Sequence, residues 1–208
     1  MSNLNLCLDQ LSVMHLHLCP KQVLGVRAGL YAAELFGLNL PQRDKRLFAW
    51  VETDGCFTDG VSVATGCWVG HRTLRVMDYG KVAVTFADAQ TGCAIRIRPH
   101  SQSRARALDY APKASDRWHA QLEAYQVMPT EELLQADEVR LTLSLKAIIG
   151  QHGLRVRCAI CGEDIINQRE VLRGEQTLCR HCVGDAYYRV VAGPATDNTV
   201  TLAHVAEP

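Results

Sequence analysis

Apolar and polar positions divide this chain into a long first part of mixed helical and strand patterns and a short second part punctuated by cysteine pairs. Residues 12–20 form a short approach segment. A helical pattern follows over 20–36, with Pro20 suited to the first helical position and Gly37 to the C-terminal stop. The apolar run 48–53 predicts a buried strand, ended by the Asp54-Gly55 turn signal. Residues 58–65 predict a short helix capped by Thr58 or Asp59. Strand patterns at 74–77, 81–86 and 94–98 are separated by Tyr79-Gly80 and Thr91-Gly92, which predicts an antiparallel meander. Residues 101–110 and 115–128 read as helices broken at Pro112, and another short helix opens at Thr130. Val139, Leu141, Leu143 and Leu145 alternate with polar residues, the pattern of a half-buried strand. Residues 150–153 predict a linker.

The fold class expected is therefore α+β: an antiparallel meander with helices over 1–150, a cysteine-rich module over 154–191, and a tail over 192–208 with weak strand content at 199–202.

Composition narrows the function classes. The 208 residues are 48% hydrophobic, enough for a core without disulfides. Formal net charge is zero, which argues against a broad nucleic-acid surface, since that needs many uncompensated cations. The second part adds little, with six Arg against five acids between Arg155 and Arg189. No secretory signal pattern opens the chain, and no run approaches the ~18 apolar residues of a membrane span. Nine cysteines, an odd number, suit thiol and metal chemistry in a reducing cytoplasm.

The spacing Cys158-x2-Cys161-x17-Cys179-x2-Cys182 is that of a four-thiolate zinc site. Two intervening residues let both sulfurs of a tight turn face one ion, and two such turns complete a tetrahedron. Two disulfides or a redox pair are the competing readings. A helix-like run carrying Cys179 and Cys182 and ending near Tyr188 predicts a treble-clef finger with a structural zinc.

A second group lies in the first part. His15, His17 and Cys19 alternate, so an extended segment would aim them to one side. Cys19 precedes a helix, where the dipole favours a thiolate. Cys56 and Cys67 flank the next short helix, with Asp59 between them and His71 nearby. Sulfur plus imidazole suits zinc or another late transition metal. The competing reading is packing: a cysteine in an apolar run is commonly a small buried hydrophobe. Cys7 and Cys93 are read that way, and His15 fits either reading. His119, His152 and His204 show no partner pattern.

Asp59 could serve as a general base, orient His17, or cap its helix. Lys81 could act as an electrophilic cation or simply be exposed. Arg96, Arg98, Arg104, Arg106, Lys113 and Arg117 make a basic stretch, read as a solvated face in preference to an anion site. Trp50, Trp68 and Trp118 are read as core or dimer-interface anchors.

The runs HLHLCPKQVLGVRAGLYAAELFG, VETDGCFTDGVSVATGCWVG and VMDYGKVAVTFAD resemble the formylmethanofuran dehydrogenase E-subunit family. The resemblance falls on His17, Cys19, Cys56, Asp59, Thr65, Gly66, Cys67, Asp78, Gly80 and Lys81. It departs at Lys21, where the family has Gly, and at Gly60, where it has Ala. It implies an α+β core with a Cys/His cleft, often metal-bound, a homodimer, and a C-terminal zinc finger in many members. The expected cleft ligands are His17, Cys19, Cys56 and Cys67, holding a second transition metal, with Cys56, Asp59 and Lys81 as catalytic candidates for redox or one-carbon chemistry. The alternative is a non-catalytic accessory or metal-delivery protein docked on a larger enzyme complex. A nucleic-acid-binding finger is a minor third reading.

Overall fold

The computed structural model describes residues 3–150 and 153–189. The chain divides into two compact units after Leu143. In the first, α1 (Asn3–His15) and α2 (Pro20–Phe36) precede strand β1 (Leu47–Val51). Next come α3 (Cys56–Thr65), β2 (Leu74–Val76), β3 (Val84–Asp88) and β4 (Ala94–Pro99). The unit closes with α4 (Ser103–Tyr110), α5 (Arg117–Val127), α6 (Thr130–Leu133) and β5 (Leu134–Val139).

Helix α1 takes residues 12–15 of the expected approach segment. Leu4, Leu8 and Leu11 recur at helical spacing, and Leu8 and Leu11 are buried. Helix α2 forms over the expected span. Its Pro20 occupies the first turn and Gly37 closes it in the left-handed region, at φ 61°.

The sheet is mixed, in the order β2-β1-β3-β4-β5. Strands β1, β3, β4 and β5 pair antiparallel, but β2 pairs parallel with β1 and does not touch β3. The expected meander is corrected at that edge. Helix α3 carries the chain back along β1, so the strand that follows runs in the same direction as β1. The segment around Tyr79-Gly80 then crosses over, with the Tyr79 and Lys81 N–H groups both donating to the Glu52 carbonyl, at 2.9 and 3.0 Å.

The last strand lies earlier than expected. β5 pairs with β4 from Leu134↔Pro99 to Val139↔Ala94. Leu134 and Ala136 then reach the core, and Asp137 on the other face meets Arg98 at 3.6 Å. Residues 140–143 are irregular, and Leu145 belongs to helix α7 (Leu145–Gly150) in the second unit.

One face of the sheet builds the core. Leu47, Ala49, Val51, Val84, Phe86 and Ile97 pack with Val23, Val26 and Ala32 of α2 and Phe57 and Val61 of α3. Burying each large side chain of this set stabilises the unit by roughly 1.5–3 kcal/mol. Two pinned ion pairs brace the strand ends. Arg46 grips buried Asp88 through two bonds, at 3.0 and 2.7 Å, and Arg96 grips Glu52 at 2.6 and 2.7 Å.

The second unit contains two small hairpins, β6 (Arg155–Arg157) with β7 (Asp164–Ile166) and β8 (Val171–Arg173) with β9 (Gln176–Leu178). The tail expected over 192–208, including the strand at 199–202, lies outside the described residues.

Candidate functional site

The site of the first unit begins with a seam of glycines. A Cβ built on Gly25 would lie 2.2 Å from the Phe57 carbonyl oxygen, and one on Gly60 would lie 2.3 Å from the Gln22 carbonyl oxygen. Only glycine permits α2 and α3 to run this close. The consequence is that the start of α2 and the start of α3 meet. Cys19 caps α2 in an extended conformation, and its N–H donates to the Gln22 Oε1 at 2.7 Å. Gly55 caps α3 at φ 74° and ψ −151°, a region that residues with a Cβ avoid, and so sets Cys56 in the first turn. The Cys19 and Cys56 thiols lie close enough for each to feel the other's charge. Burial, then the Cys19 sulfur and the Asp59 charge, push Cys56 above its ordinary value, so without a cation it is a thiol at neutral pH.

Two histidines lie on the segment that leads into Cys19. His15 ends α1, and its Nε2 meets the Asp59 Oδ2 at 2.9 Å. Leu16 turns left-handed at φ 60°, so the expected simple alternation of His15, His17 and Cys19 along an extended segment does not form. His17 instead folds back, and its Nδ1–H donates to the His15 carbonyl oxygen at 2.9 Å. In the neutral ring that bond places the proton on Nδ1 and the lone pair on Nε2, the tautomer that could ligate a metal. The rings of His15 and His17 stand edge to face, 6.2 Å apart.

Two expected members lie elsewhere. Cys67 is fully buried, donates to the Leu47 carbonyl oxygen at 3.4 Å and accepts from the Gln42 Nε2 at 3.4 Å. Burial pushes it up to about 11. The length of α3, about 15 Å by helical rise, separates it from Cys56, so the pair cannot share one ion. His15, not Cys67, is the side chain that contacts Asp59. Lys81 is exposed and its charge acts on Glu52, beside Arg96; among the described residues no hydrogen bond or ion pair of its side chain reaches Cys56 or Asp59. Cys93, read as a buried hydrophobe, is exposed. Trp118 is 44% exposed, whereas Trp50 is buried. Arg96, placed on a solvated face by the sequence pattern, is locked to buried Glu52.

The second unit gathers Cys158, Cys161, Cys179 and Cys182, whose sulfurs all lie within 4.8 Å of one another. Among the described residues this is the one group of three or more Cys, His, Asp or Glu donors that converges so closely. Cys161 and Cys179 are 3.8 Å apart, which matches the edge of a tetrahedron with metal–sulfur arms of about 2.3 Å. Cys158 follows β6, and the turn to β7 is closed by Gly162 at φ 74°, whose N–H donates to the Cys158 carbonyl at 3.0 Å. Cys179 follows β9, and its N–H points at the Cys158 sulfur, 3.3 Å away. The backbone N–H groups of Cys161 and Cys179 draw Cys158 down to about 6, whereas the neighbouring Cys179, Cys161 and Cys158 sulfurs drive Cys182 up to about 12. Four sulfurs at these separations could hold one metal ion.

The expected helix on the second cysteine pair does not form. Residues 180–184 are turns, Gly184 sits at φ 92°, and no helix follows before Arg189. A left-handed glycine two residues after Cys182 stops helical propagation.

The family model described as FmdE, molybdenum formylmethanofuran dehydrogenase operon, matches residues 14–135. The chain belongs to the FmdE family. The FmdE match contains His15, His17, Cys19, Cys56 and Asp59 and leaves the four-cysteine cluster outside it. A probable S-adenosyl-L-methionine-binding protein of Archaeoglobus fulgidus is 28% identical over 199 residues, covering 85% of this chain and 52% of that protein. The chain thus spans about half the length of this relative. Among solved structures, an FmdE-like protein of the tungsten formylmethanofuran dehydrogenase type from Syntrophus aciditrophicus superposes with a TM-score of 0.59 at 22% identity, covering 89% of this chain and 95% of that one. That likeness is one of fold. No helix among the described residues is long and apolar enough to cross a membrane.

Proposed function

We propose that this FmdE-family chain is a two-site metalloprotein. The four cysteines of the second unit hold a structural zinc, and the cleft where α2 and α3 begin takes a second transition metal for redox or one-carbon chemistry. The observation that carries the reading is the proximity of the Cys19 and Cys56 thiols at two helix starts, with Asp59 acting on Cys56 and paired to His15. Two thiolates and one imidazole are a ligand set that leaves a fourth position open, which suits catalysis or metal transfer more than a closed structural role. Asp59, held by His15, would orient or accept a proton at that position. Bound metal would convert Cys56 from thiol to thiolate. Thiols held this way suit a reducing compartment such as the cytoplasm.

The family resemblance also supports a homodimer and service as an accessory or metal-delivery component of a larger enzyme, which the open position accommodates. The test is metal content per chain of protein purified without added metal, for the native chain and for Cys56→Ser, His17→Ala and Cys158→Ser. Two metals are expected in the native chain. Cys56→Ser and His17→Ala should lose one and retain the other, and Cys158→Ser should do the reverse. One metal per chain, unchanged by both cleft variants, would leave the cleft as a thiol site and defeat the two-metal reading.

A further inference from the structure

A cavity of about 320 Å³ opens away from the cleft, lined by Gln42, Arg43, Lys45, Gly66, His71 and Thr73. It lies between the loop after α2 and the loop after α3. Three of its six lining residues are basic and none is acidic. In a chain with 22 basic and 22 acidic residues, that is a local arrangement rather than a reflection of composition. Neither neighbouring acid lines the cavity. Arg46 is committed to Asp88 by two bonds, and Asp44 turns its Oδ1 to the Arg46 N–H at 3.2 Å.

The floor is rigid. The Gln42 carboxamide clasps Leu47, accepting from its N–H at 2.5 Å and donating to its carbonyl at 2.6 Å. The Gln42 N–H donates to the Thr65 carbonyl at 2.9 Å, and a Cβ on Gly66 would meet the Gln42 carbonyl oxygen at 2.4 Å. The two loops are therefore locked together below the basic groups. Buried Thr73 holds the other side, accepting from the Trp68 N–H at 3.1 Å.

The backbone adds an independent observation. Lys45, at the rim, is held at φ 57°. For a residue with a long side chain this left-handed conformation costs stability, and strain of this kind gathers at ligand sites. Nothing in the fold of the loop uses the lysine side chain, because the described residues contain no ion pair to it.

We infer that this cavity binds a small phosphate-bearing molecule, with Arg43, Lys45 and His71 as the anion-binding groups. A guanidinium offers a planar fork to two oxygens, an ammonium adds a mobile point charge, and an imidazole adds one more donor. The volume is at the small end for ligand sites, which fits a phosphomonoester rather than a dinucleotide.

The test uses the full chain and two probes, inorganic phosphate and phenyl phosphate, titrated calorimetrically at constant ionic strength. Saturable one-to-one binding is expected, weakened about tenfold or more by Arg43→Gln and by Lys45→Asn, as for loss of a charge-assisted bond. Tighter binding of phenyl phosphate assigns the site to an organic phosphate, and equal binding assigns it to free phosphate. Lys45→Asn carries a second readout. Asn tolerates the left-handed region, so its melting temperature should rise while its affinity falls. No saturable binding of either probe, unchanged affinity in both variants, or a lowered melting temperature in Lys45→Asn would each overturn the inference.

Discussion

Replacing Gly60 by alanine tests how the fold creates the cleft. The new Cβ would lie 2.3 Å from the Gln22 carbonyl oxygen and 3.0 Å from both the Gly25 Cα and the Val26 nitrogen. All three are backbone atoms of α2, so no side chain can swing aside. Restoring ordinary contact moves the helices apart by about 1 Å. Alanine gains about 1 kcal/mol over glycine as a helix former. Overpacking costs about 1–3 kcal/mol, and a backbone-on-backbone clash belongs at the upper end. The net expectation is a loss of about 1–2 kcal/mol. The same displacement separates Cys19 from Cys56, so bridging of the two thiols by a short bifunctional reagent should slow. Urea unfolding and the bridging rate are the assays. Gly70→Ala is the control, because nothing lies within 4 Å of a Cβ there. If Gly60→Ala is as stable as the native chain and bridges as fast, the glycine seam does not set the helix spacing and the reasoning is wrong.

Other outcomes follow from the same contacts. Cys67→Ser should lower stability by about 1–3 kcal/mol, the cost of a poorly paired buried hydroxyl, without changing metal content; loss of a metal would return Cys67 to the cleft. Asp88 is drawn down to about 2 by Arg46, below its unfolded value of 3.8. Its contribution of about 2 kcal/mol is therefore complete above pH 4 and lost as pH falls through 2, so acid titration of stability should be flatter in Asp88→Asn. In the metal-free chain, alkylation should reach exposed Cys93 early and Cys67, buried and pushed up to about 11, last. Mass mapping of time points would show the order, and early labelling of Cys67 would contradict its burial.

Much of this protein was legible in local sequence. The finger cysteines were readable because two-residue spacing is a property of one turn, and a turn needs no distant partner to place two sulfurs together. Helix α2 was readable from Pro20 and Gly37, whose backbone limits act locally. The pairing of β2 with β1 depended on where α3 returned the chain, so the spacing of turn signals alone suggested a meander. The strand β5 was displaced for a similar reason: Leu134 and Ala136 were selected by the core across β4, whereas the stronger alternation from Val139 to Leu145 had no core face to meet.

The cleft shows the same division. The sequence by itself supplied the chemistry of His17, Cys19, Cys56 and Asp59 and placed each near the start of a helix. It could not tell Cys56 from Cys67, since both flank α3 and differ only in the end they occupy. Tertiary structure decided that. Glycines 25 and 60 bring two helix starts together and leave the far end of α3 in the core. Ligand identity is a property of a residue, but convergence is a property of distances between segments, which only the packed chain determines.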